Sequence, residues 1–315
     1  MNRQAEMEKT SRIFVAGHRG MVGSAIVRQL KNTSYSNILT RTRDELNLLN
    51  QQAVFDYLRV EKPRFIFVAA ARVGGIQANN TFRGQFIYEN LVIAANLIHG
   101  AYQAGIQRLC FLGSSCIYPR DCPQPIQEEY LLTGPLEETN KPYAVAKIAG
   151  IELCESYNRQ YGTHYISVMP TNLYGPNDNY DLETAHVLPA LIRKAHEAKV
   201  RGKSHMVVWG TGTPRREFLY VDDLAEACVF LMEQNYTGSL VNIGTGEDVT
   251  ISELAHTVAN VVEFKGDIWF DASKPDGTPR KLLCIDRIKN CGWTPKTSLS
   301  TGIYKAYQDF LGKLR

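Results

Sequence analysis

Gly17-His18-Arg19-Gly20-Met21-Val22-Gly23 lies directly between a short apolar run, Ile13–Ala16, and a stretch from about Met21 to Lys31 that is apolar at helical spacing. Few folds place three glycines at such a junction. Glycine lets the chain turn tightly out of a buried strand and brings its backbone close to a ligand. The helix that follows offers unpaired N–H groups and positive potential at its start, which suits a pyrophosphate. The loop therefore predicts a dinucleotide site at the head of an α/β domain. Its spacing is Gly-x-x-Gly-x-x-Gly instead of the commoner Gly-x-Gly-x-x-Gly.

The rest of the first half repeats the strand–helix unit. Ile38-Leu39 begins a second strand and Ala53 to Val60 a helix. Phe65 to Ala70 is a continuous apolar run of the kind buried on both faces of a parallel sheet. A long helix is predicted from Gln85 to Ala104, ended by Gly105, then a strand over Leu109 to Gly113. A helix carrying Tyr143 leads into a strand over Tyr165 to Met169. Repeats of this kind predict an α/β fold, a doubly wound parallel Rossmann-type sheet with right-handed crossovers. After about Thr171 the pattern loosens, with helices expected only over Val221–Glu233 and Ile251–Val262. The expected division is a nucleotide-binding domain over 1–171 and a smaller mixed α/β substrate lobe over 172–315. A segment near 217–245 is expected to return to the first domain.

Charge and cysteine usage exclude several function classes. The 315 residues hold 35 basic and 32 acidic side chains, a net +3, which gives no global field for nucleic acid. No apolar run approaches the roughly 20 residues that span a bilayer, and the polar segment Met1–Arg12 does not read as a secretory signal. The seven cysteines (Cys110, Cys116, Cys122, Cys154, Cys228, Cys284 and Cys291) are odd in number and contain no Cys-x-x-Cys. Reduced thiols, a cytoplasmic location and no metal site are expected.

Sites that select NAD usually place an acid where the second strand ends. Here that end reads Thr40-Arg41-Thr42-Arg43, with acids only afterwards at Asp44 and Glu45. Arg43 suits a 2′-phosphate, with Arg19 as a second partner, so NADP(H) is the expected cofactor. A solvated basic turn is the alternative. Downstream, Tyr143 and Lys147 are four residues apart, on one face if the segment is helical. A free phenol has a pKa of about 10, and a nearby ammonium is expected to pull it toward the working range. Ser114, in Phe111-Leu112-Gly113-Ser114-Ser115-Cys116-Ile117-Tyr118-Pro119, falls where the fourth strand should emerge. It can donate to a substrate oxygen beside Tyr143, although Ser-Ser at a strand end also serves as a simple turn.

The glycine loop, Ser114, Tyr143 and Lys147 together resemble the extended short-chain dehydrogenase/reductases. The likeness to their GDP-L-fucose synthase group is closer still. It is carried by the words 16–24, 42–47 (Thr-Arg-Asp-Glu-Leu-Asn), 73–76 (Val-Gly-Gly-Ile), 113–118, 167–176 (Ser-Val-Met-Pro-Thr-Asn-Leu-Tyr-Gly-Pro) and 272–281 (Ala-Ser-Lys-Pro-Asp-Gly-Thr-Pro-Arg-Lys). These span nearly the whole chain, and about twelve residues before the first strand look like an extension.

The resemblance implies two reactions on GDP-4-keto-6-deoxy-D-mannose: epimerisation at C3 and C5, then reduction of the C4 ketone by NADPH. It implies Tyr143, Lys147, Ser114, Cys116 and His186 as catalytic residues, with Cys116 and His186 as the base and acid of epimerisation. From the residues alone, Cys116 serves equally as a small buried packing residue and His186 as a structural histidine. The cofactor would be held by Gly17, His18, Arg19, Gly20, Met21, Val22, Gly23, Arg43, Leu112, Gly113, Ser114, Ser115, Lys147, Pro170, Thr171, Asn172 and Leu173. The GDP end would meet His186, Lys194, Trp209, Arg216 and Asp276. A homodimer is also implied. Two other readings remain. One is a UDP- or dTDP-sugar 4-epimerase or 4,6-dehydratase of the same superfamily, against which Arg43, Cys116 and Lys274-Pro275-Asp276-Gly277 count. The other is a catalytically silent NADP(H)-binding scaffold, a class that commonly lacks the Tyr or Lys retained here.

Overall fold

The computed structural model describes residues 6–314 apart from 239 and 275, and of 76 and 77 the backbone only. The first five residues of the N-terminal extension, and Pro275 within the 272–281 word, lie outside the described residues.

Six strands form one parallel sheet: β1 (Ile13–Ala16), β2 (Ile38–Leu39), β3 (Phe65–Val68), β4 (Arg108–Leu112), β5 (His164–Pro170) and β6 (Leu240–Ile243), in the order β6-β5-β4-β3-β1-β2. Every residue of β1, β3, β4 and β6 is buried, as a sheet covered by helices on both faces requires. The chain goes from β1 to β2 on one side and then returns to β3 on the other. That reversal opens a crevice above the ends of β1 and β3, where ligands collect in such sheets.

The longer helices are α1 (Met21–Asn32), α2 (Gln51–Glu61), α3 (Arg83–Gln103), α4 (Lys141–Tyr161) and α6 (Val221–Glu233), which pack on the sheet, and α5 (Val187–Val200), α7 (Ile251–Val262) and α8 (Leu299–Lys313), which do not. α4 presses closely on β4, because a Cβ at Gly150 would stand 2.4 Å from the Phe111 ring. This fixes the height of Tyr143 and Lys147 above the sheet. The apolar run at 65–70 is strand only to Val68. Ala69 adds one more ladder bond to Ala16, and Ala70 then packs its backbone under the Gly17 turn.

After Pro170 the chain leaves the sheet and rejoins it at β6. The intervening and later segments build a second apolar core, with Leu191 and Ile192 of α5, Leu254 and Val258 of α7, and Ile303 and Phe310 of α8. Short parallel ladders tie this lobe together: Asn172–Tyr174 with Phe218–Tyr220, His205–Trp209 with Asp267–Asp271, and Arg215–Arg216 with Arg280–Lys281. None of these ladders, nor the helix Ile76–Thr81, is apparent from periodicity. Among the described residues no helix is long and apolar enough to cross a membrane.

Candidate active site

The glycine turn is built for close backbone approach. Gly17 has φ +87°, and a Cβ there would stand 2.6 Å from the Ala70 nitrogen. A Cβ at Gly23 would stand 2.1 Å from the Gly17 carbonyl oxygen, so the turn and the first turn of α1 are in contact. A Cβ at Gly20 would meet only the Gly17 carbonyl oxygen, at 3.5 Å, and α1 starts without a side-chain cap, leaving its first N–H groups available to an anion. His18 keeps Nδ1 buried with no partner among the described residues. Of the three arginines here, Arg41 is engaged: it donates to Glu61 at 2.9 Å and stacks on Tyr57. Arg19 and Arg43 are exposed and have no acidic partner among the described residues. Glu45 is turned back onto the Thr42 backbone N–H at 2.7 Å. The residues present therefore fit a dinucleotide that carries an extra phosphate beside Arg43.

At the end of β4, Ser114 starts a 3-10 turn over Ser115–Ile117 and accepts from the Cys116 N–H at 3.4 Å. Gly113 is required beside it, since a Cβ would stand 2.1 Å from the Met169 methyl. Tyr143 and Lys147 sit one turn apart on α4. Lys147 is almost fully buried, donates to the Leu112 carbonyl at 2.6 Å, and stands 5.7 Å from the Tyr143 ring centre. Burial lowers its pKa to about 8. The Tyr143 hydroxyl is pushed up from its ordinary value, by burial first and by the Cys116 thiol second. The expected downward pull of Lys147 does not prevail here. Removing water from a phenolate in this cleft outweighs the neighbouring charge, and the ammonium is aimed at a carbonyl.

Cys116 behaves in the same way. Burial raises its pKa, opposed by the Lys281 ammonium, the Ser114 hydrogen bond and Lys147. His186 immediately precedes α5 and is exposed. Its pKa is lowered, by desolvation first and by Lys281 second. Cys116, Tyr143 and Lys147 thus share one cleft, and Lys281 acts on both Cys116 and His186. Lys281 was missed by the sequence reading. Its one signal there is its place at the end of the 272–281 word.

Around the outer end of the cleft, Trp209 is 61 % exposed, with Lys194 at 5.2 Å and Lys274 at 5.6 Å from its ring centre. Lys281 lies opposite Arg216 in the parallel ladder. Alternate residues on a strand face opposite ways. Accordingly Arg215 and Arg280 both pair with Asp248, whereas Arg216, Lys281 and Lys194 have no acidic partner among the described residues. Asp276 also holds a loop contact. Its two oxygens accept from the Thr211 N–H at 2.7 Å and the Thr211 hydroxyl at 2.8 Å, pinning two loops together. Thr171 and Asn172, at the junction of the lobes, both donate to the Glu217 carbonyl. Among the described residues no cluster of His, Cys, Asp or Glu could hold a metal ion.

Residues 13–244 match the model of the NAD dependent epimerase/dehydratase family. The chain is 55 % identical over 309 residues to a GDP-L-fucose synthase of Escherichia coli K12, covering 95 % of this chain and 96 % of that one. It is 55 % identical over 305 residues to GDP-L-fucose synthase 1 of Arabidopsis thaliana, covering 96 % and 94 %. A crystal structure of a GDP-L-fucose synthetase from Naegleria fowleri bound to NADP superposes with a TM-score of 0.90 at 27 % identity, covering 100 % and 98 %. The chain belongs to the NAD dependent epimerase/dehydratase family, and within it to the GDP-L-fucose synthases.

Proposed function

We propose that the protein converts GDP-4-keto-6-deoxy-D-mannose to GDP-L-fucose by 3,5-epimerisation followed by reduction of the C4 ketone with NADPH. The observation that carries this reading is that Cys116 lies beside Ser114, Tyr143 and Lys147 and shares the neighbouring Lys281 with His186. A simple ketone reductase has no need of the additional thiol and imidazole.

The glycine turn and the start of α1 hold the pyrophosphate, Arg43 and Arg19 the 2′-phosphate, and Lys147 with 170–173 the nicotinamide end. NADPH, when bound, supplies the hydride for C4. Lys194, Trp209, Arg216 and Lys281 hold the GDP portion. In epimerisation the Cys116 thiolate takes the proton α to the ketone, and the charge moves to the C4 oxygen. Ser114 and Tyr143 stabilise that oxyanion by hydrogen bonding, an interaction worth roughly 3–4 kcal/mol per well-placed donor. His186 returns a proton to the opposite face, which inverts the carbon. The sequence repeats at the second carbon. In the reduction Tyr143 gives its proton to the C4 oxygen, and its neutral resting form is the one that task requires.

The same reading includes a substrate lobe centred on the second core, a cytoplasmic location and a homodimer. Exposed Tyr88 on α3 and Val145 and Tyr161 on α4 are suitable for the dimer contact. The test is to incubate the protein with GDP-4-keto-6-deoxy-D-mannose and either NADPH or NADH, then identify the nucleotide sugar. GDP-L-fucose formed with NADPH supports the proposal, and an unreduced or C4-only product refutes it.

A further inference from the structure

Glu217 is fully buried, lies between the Arg215–Arg216 ladder and the strand Phe218–Tyr220, and makes no ion pair among the described residues. Its carboxylate accepts chiefly from main-chain N–H groups, with the Thr245 hydroxyl adding a longer bond to Oε1 at 3.4 Å. One oxygen, Oε1, takes Thr245 at 2.6 Å and Gly246 at 2.8 Å. The other, Oε2, takes Leu283 at 3.0 Å. A buried acid held this way links three segments that are distant in sequence. It costs desolvation, which must be offset by those bonds.

The segment at 280–284 is held on two sides. Its Leu282 and Cys284 N–H groups go to Gln124 and Ile126, beside the loop that follows the Ser114–Cys116 turn. Leu283 turns the other way, to Glu217. Lys281, two residues earlier, is in register with Arg216, the residue that precedes Glu217. Without the carboxylate the buried Leu283 N–H would be unpaired, and the ladder of 215–216 with 280–281, bridged on its other side by Asp248, would lose its tie to the 245–246 turn on the Arg216 and Lys281 side. The two consecutive donors of Thr245 and Gly246, with Gly246 at φ +75°, form a concavity suited to an anion, and Glu217 fills it.

We propose that Glu217 is a positioning residue for the nucleotide sugar: by bonding the 245–246 turn and the 280–284 segment together, it sets Arg216 and Lys281 at the spacing that grips the diphosphate. This inference rests on the GDP-sugar reading of the site. A glutamine cannot replace the carboxylate, because its NH2 would face either Leu283 or the 245–246 pair, donor against donor. A second way to disturb the same group is available. Gly244 has an ordinary φ, and a Cβ there would stand 2.2 Å from Glu217 Oε1, so Gly244→Ala displaces the carboxylate while keeping its charge.

The test uses the full chain and GDP as the probe, with binding measured by titration calorimetry. NADPH binding and thermal melting are recorded on each variant. Wild type binds GDP, and Glu217→Gln and Gly244→Ala are expected to weaken GDP on the order of tenfold with NADPH affinity unchanged. In an Arg216→Ala background, Glu217→Gln should add less than about twofold, because with Arg216 gone there is no pair of cations left for the carboxylate to space. A general loss of stability would not produce that non-additivity. Unchanged GDP affinity in the folded variants, or losses that multiply in the double variant, would overturn the proposal. Failure of both Glu217→Gln and Gly244→Ala to fold would assign the carboxylate to stability and overturn it as well. A wild type that does not bind GDP would instead refute the reading of the nucleotide-sugar site on which this rests.

Discussion

Lys147 is aimed past Tyr143: its Nζ donates to the Leu112 carbonyl at 2.6 Å and stands 5.7 Å from the centre of the Tyr143 ring. The pair therefore divides its work. On the proposed reading, Tyr143, whose pKa is raised by burial, keeps its proton for the C4 oxygen, and Lys147 steadies the strand end beside the cofactor. Tyr143→Phe should lower ketone reduction by on the order of a hundredfold or more, the usual worth of a positioned general acid, with NADPH affinity largely kept. Lys147→Met should impair both. Single-turnover reduction and NADPH fluorescence titration check the two outcomes, and near-normal reduction by Tyr143→Phe would remove it from the mechanism.

The buried position of Lys147 also sets a pH dependence. Burial takes its pKa from 10.5 to about 8. Between those values the unfolded chain binds more protons than the folded one, so stability due to this group rises with pH across the window, by up to about 1.4 kcal/mol per unit. Below about pH 8 the lysine is charged in both states and the full penalty is present. The stability of wild type relative to Lys147→Met should accordingly improve from about pH 7.5 to about pH 9.5. Urea unfolding of both proteins at the two pH values measures it. A constant difference would mean that the lysine titrates normally.

Arg41 and Arg43 differ in what they touch, although the sequence places them in one basic turn. Arg41 is paired with Glu61 and lies over Tyr57, whereas Arg43 is exposed and has no acidic partner among the described residues. Arg43→Ala should weaken NADPH by roughly ten- to a hundredfold, the loss of one charge-assisted hydrogen bond, and leave NADH nearly unchanged. Equal losses for both cofactors would rule out contact with the 2′-phosphate.

What the sequence disclosed and what it hid follow from distance along the chain. The Gly17–Gly23 turn and the Tyr143/Lys147 face are local patterns, fixed by one strand–helix junction and one helical turn, so they are legible from neighbouring residues. Lys281 and Glu217 are not. They reach the site through two-residue ladders between 215–216 and 280–281, too short to leave a periodic signal. The bond from Thr211 to Asp276 was likewise hidden, because the two residues are 65 positions apart. The pKa shifts were hidden for a related reason. Spacing reveals a neighbouring charge, but burial depends on the whole fold, and at both Tyr143 and Cys116 burial dominates.

The two chemistries separate at Cys116. Burial holds its thiol above the ordinary value in spite of Lys281 and Lys147, so in the free protein the thiolate is a minor species at neutral pH. Exchange of the C3 and C5 protons with solvent deuterium should then speed up from about pH 6.5 to about pH 9 as the thiolate fraction grows. Cys116→Ser should stop that exchange, because a hydroxyl forms little alkoxide in this range. Ser114, Tyr143, Lys147 and the cofactor loop are untouched by the change, so the variant should still reduce the ketone slowly, giving a 6-deoxy-D-sugar nucleotide without inversion. His186→Asn should also prevent inversion yet permit exchange, since removing a proton and returning it to the same face needs the base alone. Mass spectrometry of substrate recovered from heavy water without reduced cofactor distinguishes the two variants. Rapid exchange at both carbons in Cys116→Ser would move the base to another residue and leave Cys116 as packing.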